Sequence, residues 1–144
     1  MIKEKNIAIY VRVGNKDEMS AQVQLDFIKD YLAKSNIKAK KKYIDDGFKG
    51  NTLYNPSFKR MTEDIKNKVI DTIYVQDLSR LGRNRKELID FSKNILDKYN
   101  SKLILVNDEV DFKNITTIMD VCEEMRKKDL KDRRMKERKY RENR

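Results

Sequence analysis

The chain has 144 residues, enough for one domain around one core. Lys and Arg number 34 against 24 Asp and Glu, a formal net charge of +10, which favours an anionic partner, nucleic acid before membrane. The absence of histidine excludes a His-based metal site and a Ser-His-Asp triad, the single cysteine excludes an internal disulfide, and no apolar run is long enough to span a bilayer.

The chain starts with charge: Lys3, Glu4 and Lys5 interrupt any signal-peptide apolar region, so a cytoplasmic location is expected. Ile7 to Val11 is a short apolar run that reads as a strand buried on both faces, with Arg12 at its carboxyl end and a Gly14-Asn15 turn beyond. Residues 20 to 33 have helical periodicity, with Ser20 as N-cap. Val23, Phe27 and Tyr31 join Leu25, Ile28 and Leu32 in one broad apolar face. Ile37 to Ile44 reads as a second strand near a sheet edge, because its lysines need solvent. Asp45-Asp46-Gly47 closes it, and a loop follows to Tyr54. Asn55-Pro56 opens a helix with Phe58, Met61 and Ile65 on one face, ending at Asn67-Lys68.

Val69 to Val75 is the third strand. It runs into Gln76-Asp77-Leu78-Ser79-Arg80-Leu81-Gly82-Arg83-Asn84, a polar turn that opens the next helix. Arg80 and Arg83, three apart, would share one side of its first turn. Two cations there oppose the helix dipole unless an anion is near. They are therefore either an anion site, with phosphate the first candidate, or two solvated arginines of a basic protein. The helix continues from Asn84 to Tyr99, Leu103 to Val106 is the fourth strand, and 107 to 113 reads as a polar loop.

Asn114 can cap a last helix that runs towards the end of the chain. Its first half is amphipathic, through Ile115, Ile118, Met119, Cys122 and Met125, and Cys122 reads as a small apolar residue of that face. From Arg126 to Arg144 there are eleven Lys/Arg against four Asp/Glu, a net of +7. The βα alternation predicts an α/β domain: a four- or five-stranded, mostly parallel sheet with helices on both faces and a long C-terminal helix. The expected division is a core over residues 1–113 and the helix with its basic tail over 114–144. Ligands of such sheets bind beyond the carboxyl ends of the strands, where Arg12, Arg80 and Arg83 all fall.

These residues carry a resemblance. Tyr10-Val11-Arg12-Val13, Ser20 to Gln24, Asp46-Gly47, Asn55-Pro56-Ser57-Phe58 and above all Asp77-Leu78-Ser79-Arg80-Leu81-Gly82-Arg83-Asn84 resemble the catalytic domain of the serine recombinases, the resolvase and invertase family. The resemblance covers about residues 5 to 140. It implies site-specific DNA recombination, in which a serine becomes linked to a 5′-phosphate while arginines bind the scissile phosphate; phosphoryl transfer depends mainly on such positioning and preorganised charge. By the match, Arg12, Arg80 and Arg83 are the phosphate-binding arginines and Gln24 is a site glutamine. The implied partners are DNA and further recombinase subunits, as homodimer, tetramer or mixed assembly with an active relative.

Two positions depart clearly from the family pattern, and a third loosely. The serine slot, directly after Arg12-Val13, is Gly14, which has no nucleophile. The arginine that usually precedes the Pro-x-Phe is Asn55, and Glu18 stands loosely where many members carry glutamine. The resemblance therefore implies a member defective in cleavage that binds DNA or pairs with relatives. The alternatives are an active recombinase with a substituted nucleophile, a sequence altered at its serine, and a small-molecule phosphate binder; four glycines and no phosphate-cradling loop disfavour the last. In the family the last helix pairs subunits and its far end lies across the DNA minor groove. Arg126, Lys127, Arg133, Arg134 and Arg138 are the matching candidates for phosphate contacts, against the reading of a solvated tail. No helix-turn-helix or zinc ribbon follows the helix in this sequence, so binding of low sequence specificity is expected.

Overall fold

Every residue of Ile7–Val13 is buried, as a strand covered on both faces requires, and this strand, β1, organises the sheet. The computed structural model describes residues 6–14, 19–82, 84–107, 110–112, 130, 131 and 133–136. The described elements after β1 are α1 (Ala21–Ala33), β2 (Lys41–Asp46), α2 (Pro56–Lys66), β3 (Thr72–Val75), α3 (Leu78–Leu81), α4 (Arg85–Phe91), β4 (Lys102–Leu105) and β5 (Val110–Phe112). The sheet order is β2-β1-β3-β4-β5, with β1 to β4 parallel and β5 antiparallel to β4. The chain steps from β1 outward to β2, then back across β1 to β3. The boundary between β1 and β3 is thus where the winding reverses, the usual place for a ligand crevice in open α/β sheets.

Alternation along β1 divides the core. Ile7, Ile9, Val11 and Val13 meet Leu25, Ile28 and Leu32 of α1 on one face. Ala8 and Tyr10 meet Phe58, Met61 and Ile65 of α2 and the residues of α3 and α4 on the other. Phe58 is central there, 4.9 Å from Phe91 and 5.6 Å from Tyr10 between ring centroids. Helices therefore cover both faces, as the alternation predicts.

Several elements differ from the sequence expectation. The second strand begins at Lys41, not Ile37, because Ile37 and Ala39 pack against the α1 layer before pairing with β1 starts. It is an edge strand, as its exposed lysines imply. The third strand begins at Thr72, after Val69 and Ile70 have packed into the core. The apolar face of α1 is narrower than its composition suggests: Val23 and Phe27 are 52% and 43% exposed, while Gln24, Leu25, Ile28 and Leu32 are buried and Ala21 and Tyr31 pack at the margin of that face. The helix expected over 84–99 is α4 continued by a π-helical turn, Ser92–Asp97. Bonding of the i→i+5 type keeps Phe91 and Leu96, five apart, on one buried face. The polar loop expected over 107–113 contains β5, whose three residues are too few for periodicity to reveal.

Of the C-terminal helix, residues 130, 131 and 133–136 are described; they are helical and exposed. The expected interface residues Ile115 to Met125, and Arg126, Lys127 and Arg138, lie outside the described residues.

Candidate functional site

Arg12 is the last residue but one of β1 and is 4% exposed. It lies on the same face of the strand as Tyr10, and its Cα is in register with Asp45 of β2. Its guanidinium is seated under the loop after β2: Nη1 donates to Phe48 O at 3.0 Å. Gly50 lies directly against it, since a Cβ there would stand 2.8 Å from Nη2. The start of this loop is a turn at Gly47, whose φ of 90° falls where glycine is favoured.

Gln24 reaches the same strand end from α1. Its Nε2 donates to Arg12 O at 3.3 Å and to Met19 O at 2.8 Å. The side chain is fully buried, and its Oε1 has no hydrogen-bond partner among the described residues; the same holds for Oε1 of Gln76 at the end of β3. Arg12 and Gln24 are therefore brought together, and Gly14 follows on from them. Ser20, the nearest described serine in sequence to Gly14, accepts from Val23 N at 3.3 Å and caps α1 as expected.

The arginine pair differs from its expected setting. The turn does not open one continuous helix. Residues Leu78–Leu81 form the four-residue α3, the chain extends at Gly82, and α4 starts only at Arg85. Asp77 caps α3 by accepting from Arg80 N at 3.1 Å, so that N–H is already satisfied by a carboxylate. Arg80 lies in the last turn of α3, and Arg83, in the link to α4, lies outside the described residues. The physical reason for the break is Gly82: a Cβ there would come within 2.5 Å of Leu53 Cδ2, so the chain passes close over a buried leucine. Because β3 neighbours β1 and α3 packs on β1, Arg80 does issue from the same end of the sheet as Arg12.

Asn55 stands at the N-cap position of α2 but makes no capping bond; Pro56 occupies the first helical position. The cap comes from elsewhere. Asp45 of β2 is 1% exposed and accepts from Ser57 N at 2.8 Å and Phe58 N at 3.1 Å. It also accepts from the Tyr10 hydroxyl at 2.7 Å. Burial, then the Asp45 hydrogen bond and charge, push the Tyr10 hydroxyl well above the usual phenol range, with Asn55 and Arg12 opposing. Asn55 Nδ2 also donates to Thr52 O at 3.3 Å.

Sequence reasoning read Asp45 only as a turn former and passed over Glu87. Asn84 Oδ1 accepts from Glu87 N at 3.1 Å, half of a capping box, and Asn84-x-x-Glu87 is the pattern that could have revealed it. The Glu87 carboxylate does not close the box. It accepts instead from Leu53 N at 2.7 Å and from the Thr52 hydroxyl at 3.0 and 3.2 Å. Among the described residues, no cluster of three Cys, Asp or Glu side chains could hold a metal, and no helix is long and apolar enough to cross a membrane.

A doubly wound α/β domain with an arginine buried at its winding reversal defines a class, and the comparisons narrow it. A family model described as "Resolvase, N terminal domain" matches residues 7–144, so the chain belongs to the resolvase family. It is 34% identical over 104 residues to a protein of Bacillus subtilis (strain 168) named "Putative DNA recombinase". That match covers 72% of this chain and 21% of the relative, so the chain spans about a fifth of that protein's length. The N-terminal catalytic domain of TP901-1 integrase is similar in structure with a TM-score of 0.74 and 27% identity, over 87% of this chain and 99% of that one. A resolvase family site-specific recombinase from Streptococcus pneumoniae shares the fold with a TM-score of 0.66 at 23% identity, over 98% and 100% of the two chains.

Proposed function

We propose that this chain is a serine recombinase domain that binds DNA and pairs with recombinase subunits but does not cut. The observation that carries the reading is Gly14. The position directly after the Arg12-Val13 end of β1, where the family resemblance puts the attacking serine, has no side chain. Loss of a nucleophile removes covalent chemistry while binding can survive. Arg12, Arg80 and Arg83 are the proposed phosphate clamp, with Gln24 beside it. The buried, anchored guanidinium of Arg12 supports this, because a preoriented arginine loses little freedom when it meets a phosphate. The capping bond of Ser20 counts against its acting as a substitute nucleophile.

In this reading residues 1–113 are the core and 114–144 a long helix. Its apolar half, Ile115 to Met125, joins subunits as a homodimer, a tetramer or a mixed assembly that restrains an active relative. Its basic half, with Arg126, Lys127, Arg133, Arg134 and Arg138, lies on DNA phosphates. The exposure of Arg133 and Arg134 on a helical segment is compatible with that role.

The deciding experiment incubates the protein with supercoiled DNA and denatures it to trap covalent adducts. No adduct is expected. Duplex binding is expected at low salt, and log K should fall linearly with log salt. Replacing both Arg133 and Arg134 by Gln should make that slope shallower by about 1.8. A trapped adduct would overturn the non-cutting reading, and absence of low-salt binding would overturn the DNA reading. Met119→Lys should give monomer on a sizing column if the apolar half joins subunits.

A further inference from the structure

The loop between β2 and α2 has two anchorages on opposite sides. At its start, Phe48 O accepts from Arg12 Nη1 at 3.0 Å and the Gly50 backbone lies against the guanidinium. At its end, Thr52 and Leu53 are held by the Glu87 carboxylate, with Leu53 N at 2.7 Å. Between Phe48 and Thr52 lie only Lys49, Gly50 and Asn51. Leu53 is fully buried under Gly82, and Gly50 O is 3.6 Å from where a Gly82 Cβ would stand. Residues 48 to 53 thus form a short bridge from the carboxylate on α4 to the guanidinium on β1.

We infer that Glu87 is a positioning residue for Arg12: by fixing Thr52 and Leu53 it fixes the backbone that seats the guanidinium, and so sets the geometry with which Arg12 meets a DNA phosphate. The inference rests on the phosphate-binding reading of Arg12 proposed above. Glu87 is a poor direct ligand for such a site, since its charge repels phosphate. Its value there is the pair of bonds it accepts. A carboxylate in the first turn of α4 also favours the helix dipole, and that purely structural role makes different predictions.

The test measures binding of the full chain to a short duplex DNA at fixed low salt, together with unfolding curves. Glu87→Gln keeps an acceptor for Leu53 N–H and an amide that can donate to the Thr52 hydroxyl; Glu87→Ala keeps neither. Both remove one negative charge, so electrostatics alone would tighten binding equally in both. The expected result is that Glu87→Ala weakens binding by about three- to tenfold, the scale of one phosphate contact, while Glu87→Gln binds as tightly as wild type or more so. In an Arg12→Ala background, which itself should bind more weakly, Glu87→Ala should have no further effect. Equal affinities for the two Glu87 variants, or a full Glu87→Ala effect on top of Arg12→Ala, would overturn the positioning role while leaving the Arg12 reading intact. Unchanged binding by Arg12→Ala would overturn the Arg12 reading and this inference with it. If Glu87→Ala does not fold, Thr52→Val removes only the hydroxyl bonds, and it should weaken binding in the same Arg12-dependent way; no change would overturn the inference.

Discussion

The hydroxyl of Tyr10 and the carboxylate of Asp45 are joined at 2.7 Å in the interior, and through Asp45 the first strand, the second strand and the start of α2 share one hydrogen-bonded centre. Neither group is exposed, so a missing partner cannot be replaced by water. Asp45→Asn puts an amide donor where three donors already point, and should lower stability by about 2–3 kcal/mol. Tyr10→Phe removes one bond to a charged acceptor and should lower it by about 1.5–3 kcal/mol. The check is a urea midpoint that falls with unchanged slope.

Tyr10 also predicts an alkaline limb. Its hydroxyl, and that of Tyr43, whose burial and hydrogen bond to Asp64 raise it likewise, keep their protons in the folded state at pH values where an unfolded tyrosine ionises. Above about pH 10 the unfolded chain then holds fewer protons, and stability falls as pH rises. Tyr10→Phe should flatten that fall between about pH 9 and 11 while starting from a lower plateau. Asp64 gives the opposite limb. The Tyr43 hydrogen bond, with help from Lys41, holds its carboxyl below the usual range. Its contribution is complete above about pH 4 and is lost as pH falls through the folded value. Asp64→Asn should flatten the acid limb, read from unfolding curves at pH 2 to 6.

Gly50→Ala tests the seat of Arg12. The added methyl would stand 2.8 Å from Nη2, so the buried guanidinium must shift and its bond to Phe48 O loosens. Stability should fall by about 1–3 kcal/mol. Duplex affinity at low salt should fall, with a salt slope shallower by about one phosphate.

Gly14→Ser alone should not produce a DNA adduct, because Asn55 still lacks the arginine charge expected there. Adding Asn55→Arg should produce one on supercoiled DNA. The backbone allows the second change, but Asn55 is buried, so the longer arginine must displace its neighbours to be accommodated. Asn55 has extended backbone, φ −77° and ψ 161°, and makes no capping bond. What is lost is its long bond to Thr52 O and its contact with Tyr10, about 1 kcal/mol. An adduct from Gly14→Ser alone would mean that Asn55 does not limit the chemistry.

The layers of this fold are readable where residues alternate or repeat with a regular period: β1, the Ser20 cap and the Asn55-Pro56 helix start all follow from local pattern. So does the placing of Arg12 at the carboxyl end of β1 and of Arg80 after the end of β3. What local pattern does not carry is contact across the chain. Asp45 caps a helix eleven residues downstream, and Glu87 holds a loop more than thirty residues upstream. Val23 and Phe27 are apolar yet turned outwards, because the angle of α1 on the sheet decides which stripe is buried. Gly82 splits a helix for the sake of Leu53, a neighbour no periodicity links to it.

The distant cap has a consequence for how the chain acquires its structure. The segment 56–66 has Pro56 to start it but no side chain of its own that satisfies its first N–H groups. Those groups wait for Asp45, and Asp45 is in place only once Lys41–Asp46 has zipped alongside the first strand. A peptide of residues 54–68 should be nearly free of helix in water. In the whole chain this helix should therefore mature late, after the parallel pairing of β2 with β1, so that conditions which delay that pairing leave Phe58 and Met61 open to water together.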